Sequence, residues 1–301
     1  YNDVKYFVTC LDAWHGGPSR RYPESWNKMS AIAKANGGEL VVVGHHQAHA
    51  ANAFFSSNFD DALIITIDGG GEEAEGTRMV SAHFTVWNGY GNKIERVDVL
   101  SDDGDQRSTN IGGFWSSCTK NIFGLSAGYP KGHQAGSVMA MAALGNDKKH
   151  YQDFYDHLSL CNENPSFNYG KYRKIADMSE QSKFDVAAAL QSATETRIRE
   201  LLSHYIKNTN SKNLCISGGV SLNCVLAGKI YDWFDGQIEN VYADPIPYDA
   251  GLALGAPRYV WHHILNNPRI NGKTIPPLIW VKYIQKLLLK KRSRRDLLWK
   301  R

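Results

Sequence analysis

Val41-Val42-Val43-Gly44-His45-His46-Gln47-Ala48-His49-Ala50, followed closely by Ile64-Ile65-Thr66-Ile67-Asp68-Gly69-Gly70-Gly71, is the stretch on which the reading of this chain turns. The first segment reads as an apolar strand running into a histidine-bearing helix. His45 and His49 lie four apart, so on a helix both rings leave the same face. His46 cannot share that face and is expected to pack or to support the other two. The second segment is a β-branched run and so a strand, with Asp68 at its end and a glycine-rich turn behind it. Two imidazoles and a carboxylate brought together form a chemically sensible metal site, and Gly69 and Gly70 would let a phosphate approach backbone N–H groups. Taken singly, these features also fit plainer roles, as surface histidines or an ordinary Asp-Gly turn.

Working outward, Lys5 to Leu11 reads as a short strand and Asp12 to Ser25 as a loop rich in Gly, Pro and Arg. Asn27 to Ala35 is a helix stopped by Asn36-Gly37-Gly38, and Glu39 to Val43 is the strand that enters the histidine stretch. Ala62 to Ile67 is continuously apolar, as in the buried middle of a sheet. Val80 to Trp87 and Ile94 to Leu100 flank the turn Asn88-Gly89-Tyr90-Gly91-Asn92, which predicts a hairpin and therefore a sheet mixing parallel and antiparallel strands. Ile111 to Phe123 and Ser137 to Leu144 are helices, with Ala127 to His133 a loop between them. Asn146 to Met178 is polar, aromatic and weakly periodic. Phe184 to Ile206 carries the strongest helical spacing in the chain.

Two further turns follow. Asn213 to Ser217 is a strand that enters Gly218-Gly219-Val220-Ser221-Leu222-Asn223, and the helix Cys224 to Trp233 comes next. Val241-Tyr242 is a short strand, and Asp249-Ala250-Gly251 opens a helix running through Leu254 toward Ile264. A glycine turn at a helix N-terminus favours an anionic group, whereas Asp249 alone could simply cap its helix. Three acid- or glycine-marked turns, each after a strand, fit a cleft between two α/β lobes.

Composition sets the outer limits. With 301 residues, 43% of them hydrophobic and 21% charged, the chain suits one large or two small folded domains rather than disorder. No apolar run approaches the roughly 20 residues of a membrane helix. Five scattered cysteines without CxxC spacing suggest a reduced, cytoplasmic setting. Lys282 to Arg301 holds nine Lys/Arg and one Asp, a balance of +8, which leaves the rest at −4 against a total of +4. The mildly acidic body gives no argument for nucleic acid, and any such contact would belong to the basic tail.

The residues also resemble a family. His45-His46-Gln47-Ala48-His49-Ala50-Ala51-Asn52-Ala53-Phe54-Phe55 resembles the HHxAHAxxAF motif of the O-carbamoyltransferases, the nodulation-protein-U and antibiotic-carbamoylating type. Ile67-Asp68-Gly69-Gly70-Gly71-Glu72 is similar to their DGxGE turn, which in turn resembles the phosphate-binding turn of the actin, sugar kinase and Hsp70 superfamily. Ser217 to Cys224 resembles GGVALNC, and Tyr248 to Ala256 resembles GDAGLALGAA. The match runs in order from about Leu40 to Pro257.

The resemblance implies an α/β, actin-like two-lobed fold with mixed sheets. It also implies a metal, Fe(II) or else Mn(II), held by His45, His49, Asp68 and Asp249. The nucleotide, ATP or carbamoyl-adenylate, would lie along Gly69, Gly70, Gly218, Gly219, Val220 and Asn223. Carbamoyl-adenylate, made elsewhere from carbamoyl phosphate and ATP, would give its carbamoyl group to a hydroxyl acceptor, with His45, His49 and Asp68 as catalytic residues. The expected layout is an actin-like domain over 1–265 and a basic tail, unlike the family, over 266–301. Nothing in Tyr1 to Gly38 matches the family's opening strand-turn, so the first lobe is expected to be incomplete. The adenylate-forming domain is expected on a separate partner or on missing sequence. Where the family tends to carry EGKVMGLA, this chain has Ala135-Gly136-Ser137-Val138-Met139-Ala140-Met141-Ala142. Two other readings keep the same cleft: an actin-like sugar kinase, and a nucleotide-binding module without turnover.

Overall fold

Alternate residues of the run Ala62–Ile67 point to opposite faces of one central strand, and both faces are covered. Leu63, Ile65 and Ile67 pack into one apolar cluster and Ala62 and Ile64 into another, which is why the run shows no polar alternation. The computed structural model describes residues 4–10, 23–75, 78–101, 110–128, 133–159 and 167–269. Residues 12–22 of the loop expected over 12–25, and 270–301 of the basic tail expected over 266–301, lie outside these residues, while 23–25 belong to a helix rather than to that loop.

Strands β1 (Tyr6–Cys10) and β2 (Glu39–Val43) pair in parallel through helix α1 (Pro23–Ala35) and form a two-stranded sheet. Helix α2 (His45–Ser56) follows β2 directly. The second sheet contains β3 (Asp61–Glu75), β4 (Arg78–Tyr90) and β5 (Lys93–Ser101) as an antiparallel meander. Strands β6 (Asn213–Ser217) and β7 (Asn240–Ala243) join it in parallel, giving the order β5-β4-β3-β6-β7. The mixed sheet is therefore as expected, and the hairpin forms with its turn at Gly91-Asn92.

Helices α3 (Ile111–Asn121), α4 (Ala135–Ala142), α5 (Tyr151–Ser159), α6 (Tyr169–Ala176), α7 (Glu180–Ile206) and α8 (Cys224–Trp233) supply the larger apolar cluster against one face of this sheet. Helix α2 covers the opposite face with Ala50, Ala51, Phe54 and Phe55. Helix α9 (Leu252–Arg258) lies across α2 so closely that a Cβ on Gly255 would come within 1.9 Å of the Ala48 carbonyl oxygen, so only glycine fits there. No helix among the described residues is long and apolar enough to cross a membrane.

One expectation needs correction. The strand through Ile67 does not end in a turn at Asp68; β3 continues to Glu75. Ile67 pairs with Phe84 and Gly71 with Ala82, so Asp68, Gly69 and Gly70 form a bulge opposite a single residue of β4. Such a bulge aims a side chain off the sheet without breaking it.

Candidate metal centre and its cleft

Helix α2 starts where it does because Gly44 ends β2 and Gln47 reaches back, its side-chain oxygen accepting from the Gly44 N–H at 3.2 Å. The Glu73 carboxyl group, from β3, accepts from the Gln47 N–H at 2.8 Å and so satisfies a free donor in the first turn of the helix. Burial pushes Glu73 up to about 7, while the Gln47 N–H and the Arg96 guanidinium oppose that rise. A third tie comes from His46, which points into the sheet. The Trp87 indole donates to Thr85 Oγ1 at 2.7 Å, and Thr85 and Thr66 hydroxyls lie 2.6 Å apart. His46 Nδ1 lies 2.5 Å from Thr66 Oγ1, and its Nε2 lies 2.9 Å from the Ala82 carbonyl. The Ala82 carbonyl can only accept, so neutral His46 carries its proton on Nε2 and its Nδ1 accepts from Thr66, which gives the chain one direction: Trp87 to Thr85 to Thr66 to His46 Nδ1. Burial holds His46 well below the ordinary histidine range, which keeps it in the neutral form this chain needs. The supporting role expected of His46 is what the structure shows.

His45 and His49 leave the other face, as their spacing predicts. Their Nε2 atoms lie 3.2 Å apart. The bulge sends Asp68 toward both, its Oδ2 lying 3.4 Å from His45 Nε2 and 2.9 Å from His49 Nε2. A Cβ on Gly71 would strike the His45 ring at 2.3 Å, so the third glycine makes room for that ring. Asp249, at the start of a short 3₁₀ turn (Asp249–Gly251), brings its Oδ1 to 3.6 Å from His45 and 3.8 Å from His49. All four donor atoms lie within 4.8 Å of one another.

The donor set fits a divalent ion. Ligands held ~2.1 Å from one centre stand roughly 3.0–3.5 Å from their neighbours, which is close to the separations found. Two ring nitrogens and two carboxylate oxygens converge on one point with too few hydrogens to satisfy them all. Two histidines with two carboxylates suit Fe(II) or Mn(II) better than a structural zinc. Burial, the largest influence on His49, disfavours its charged form, but the hydrogen bonds to Asp249 and Asp68 outweigh it and lift the ring to about 9. Burial would raise Asp68, yet His45 and His49 hold it well below the carboxylate range. Among the described residues, the buried His49 Nδ1 has no hydrogen-bond partner, so on that side packing holds the ring. His49 is fully buried, whereas the Asp249 side chain is 71% exposed and closes the cage on the solvent side.

The cage forms one end of a cleft of about 530 Å³. Gly69, Gly219, Val220 and Asn223 line it with Asp68 and Asp249. Gly70 and Gly218 are not in the lining; Gly70 lies within the bulge and Gly218, at φ +89°, turns the chain after β6. Asn223 lines the cleft with its amide already engaged. Its Oδ1 accepts from the Leu226 N–H and its Nδ2 donates to Gln191 Oε1, which makes it the cap of α8. Trp115, Met139, Leu222 and Tyr248 give the remaining wall its apolar and aromatic character, beside Ser116 and His133. None of these six was given a role from sequence. Leu222 lies in the second glycine turn, Tyr248 just before Asp249 and Met139 on α4, while Trp115 and Ser116 share α3; an apolar or hydroxyl side chain in such a segment carries no chemical signal until the cleft is assembled.

Comparison with known proteins gives the family and the fold. The family model for the carbamoyltransferase N-terminus matches residues 19–257. A Synechocystis protein, sll1178, is 31% identical over 246 residues, covering 78% of this chain and 38% of the relative. The nodulation protein NolNO of Sinorhizobium fredii is 30% identical over 230 residues, covering 72% of this chain and 30% of the relative. The chain thus spans about a third of the length of these curated relatives. The crystal structure of T. kodakarensis HypF superimposes with a TM-score of 0.52 at 15% identity, over 86% of this chain and 40% of that one. That likeness concerns the fold alone, which is the mixed α/β, actin-like type. With a family model matched across the four motif regions and the cleft they build, this chain belongs to the carbamoyltransferase N-terminus family.

Proposed function

We propose that this chain carries the transfer site of an O-carbamoyltransferase, which moves a carbamoyl group from carbamoyl-adenylate to a hydroxyl acceptor. The observation that supports it most is the four-donor cage of His45, His49, Asp68 and Asp249 at one end of an aromatic-walled cleft. When bound there, Fe(II) or Mn(II) would supply a Lewis acid that draws electron density from the carbamoyl group. The chain's own residues do the rest. Trp115, Met139, Leu222 and Tyr248 offer a surface on which a flat base can lie, and Gly69 and Gly219 leave backbone exposed beside the phosphate. Asn110 holds this end of α3 against the bulge, donating to the Gly69 carbonyl at 2.9 Å while accepting from the Gly113 N–H at 2.8 Å. In the transfer, the acceptor oxygen bonds to the carbamoyl carbon, AMP leaves with the bonding pair, and the hydroxyl proton passes to water.

Carbamoyl-adenylate would come from carbamoyl phosphate and ATP on an adenylate-forming domain or subunit. A reducing, cytoplasmic setting suits Fe(II) and the free Cys10, Cys118, Cys215 and Cys224. The test is to supply purified chain with carbamoyl-adenylate and a panel of hydroxyl acceptors and follow labelled carbamoyl, alongside elemental analysis of wild type, His45→Ala and His49→Ala. Metal-dependent carbamoylation, lost in both variants, is expected. Undiminished stoichiometric metal in both variants would sink the cage. Phosphorylation of a sugar by ATP alone would favour the kinase reading instead, and nucleotide binding without transfer would favour a module without turnover.

A further inference from the structure

The cage is assembled from segments far apart in sequence, and Asp249 sits on an exposed turn that the other ligands do not hold. A buried carboxylate, Asp244, lies just after β7 and ties the histidine helix to the segment that leads to Asp249. Its Oδ2 accepts from Asn52 Nδ2 at 2.7 Å and from Ser217 Oγ at 2.9 Å, while its Oδ1 accepts from the Ile246 N–H at 3.0 Å. Asn52 is on α2, three residues past His49; Ser217 ends β6 just before Gly218-Gly219; Ile246 leads to Asp249. Asn52 Nδ2 also lies against Gly251, where a Cβ would come within 2.9 Å of it. One carboxylate therefore joins the histidine helix, the glycine turn and the Asp249 turn.

The polarity of this network is fixed. Arg258, on α9, donates to Asn52 Oδ1 at 2.5 Å, and arginine has no acceptor. The Asn52 amide cannot flip, and its NH₂ must face Asp244. Three donors then converge on residue 244, and only a carboxylate accepts from all of them.

We infer that Asp244 is the positioning residue of the metal cage, fixing the distance between Asp249 and the His45/His49 face through Asn52, Ser217 and Ile246. It touches none of the four ligands. The inference rests on the metal reading of the cage given above.

Asp244→Asn keeps the volume and removes the acceptor. Metal-free protein titrated with Co(II), read by the visible d–d absorption, is expected to show about 10-fold weaker binding in this variant, the lower end of what outer partners of a metal site contribute. An altered band position is expected with it. The double variant N52D/D244N reverses the pair: a carboxylate at 52 accepts from Arg258 and from the amide at 244. It is expected to regain most of the affinity and the wild-type band, which a generally loosened fold would not do. Wild-type affinity and spectrum in D244N would overturn the inference, as would weakened binding that the double variant fails to rescue. Should D244N not fold, Ser217→Ala leaves the carboxylate in place and removes one tie; a shifted Co(II) band supports positioning and an unchanged one overturns it. Failure of the wild type to bind Co(II) would instead remove the cage reading itself, a result distinguishable from either.

Discussion

The two faces of β3 bury different chemistry. Toward α2 lie the titratable His45, His46, His49 and Glu73, beside an apolar cluster that includes Ala50, Phe54 and Phe55. Toward α5, α6 and α7 lie Phe154, Leu158, Tyr172, Leu190 and Leu202, which are almost wholly apolar. Groups such as those around α2 cost free energy to desolvate and repay it only where partners or a bound cation compensate them. The aromatic and aliphatic layer has no such requirement, and burying it is the main stabilising contribution. The difference teaches that one face of the sheet combines the candidate ligands with apolar packing, while the other is chiefly apolar. Substitutions on the two faces should therefore fail in different ways.

The largest effect is expected at the cage. His49→Ala should reduce metal affinity by more than about 100-fold, since outer partners alone are worth ~10–100-fold, and isothermal titration with Mn(II) would measure it. Next comes the apolar face. Phe154 is fully buried between Phe167 and Tyr172, with ring centroids 5.0 and 4.8 Å away. Phe154→Ala should cost about 4 kcal/mol in denaturant unfolding while the folded protein binds Mn(II) as before. If metal affinity fell as well, the two faces would not be separable.

Two of the buried carboxylates, Glu73 and Asp185, sharpen the contrast through pH. Burial dominates at Glu73, and its folded-state value of about 7 lies above the ordinary 4.5. The folded chain then keeps a proton that the unfolded chain has released. Stability is whole below pH 4.5 and declines as the pH rises to 7, by on the order of 3 kcal/mol. Glu73→Gln should flatten that part of the profile of unfolding free energy against pH. Donors dominate at Asp185, on α7: Lys149 first, then the Asn146 N–H and the Gln181 amide hold it down to about 2 from 3.8. Its contribution is present above pH 3.8 and is lost as the pH falls to 2, about 2 kcal/mol in all. Asp185→Asn should remove that acid-side loss, and an unchanged acid limb would count against the Lys149 pair.

How much of this was legible beforehand depends on the range of the interactions. His45 and His49 could be paired from their spacing because helical periodicity is local. The strands Asn213–Ser217 and Glu39–Val43 and the helix Cys224–Trp233 were legible for the same reason. The bulge at Asp68 was not, because a glycine triplet suits a turn as well as a bulge and only the β4 register decides between them. Helices α5 and α6 are short and rich in aromatic residues, so their packing against α7 rather than their own periodicity defines them. The approach of Asp249 to the histidines came from the resemblance alone. The bond between Asn52 and Asp244 joins positions 192 apart, and no local pattern carries it.

The uneven exposure of the cage bears on the order in which its occupants arrive. His45 and His49 are shut in, Asp68 is 13% exposed where it lines the cleft, and Asp249, 71% exposed, faces solvent on the same side. Among the described residues, the route from the cage into the cleft runs past these two carboxylates, through the space proposed for the nucleotide. Loading would then be sequential, ion before nucleotide, with an occupied cleft as a stopper. A chelator should strip the ion quickly from the empty protein and slowly from the nucleotide-bound one, a difference in rate without any difference in the ligands themselves.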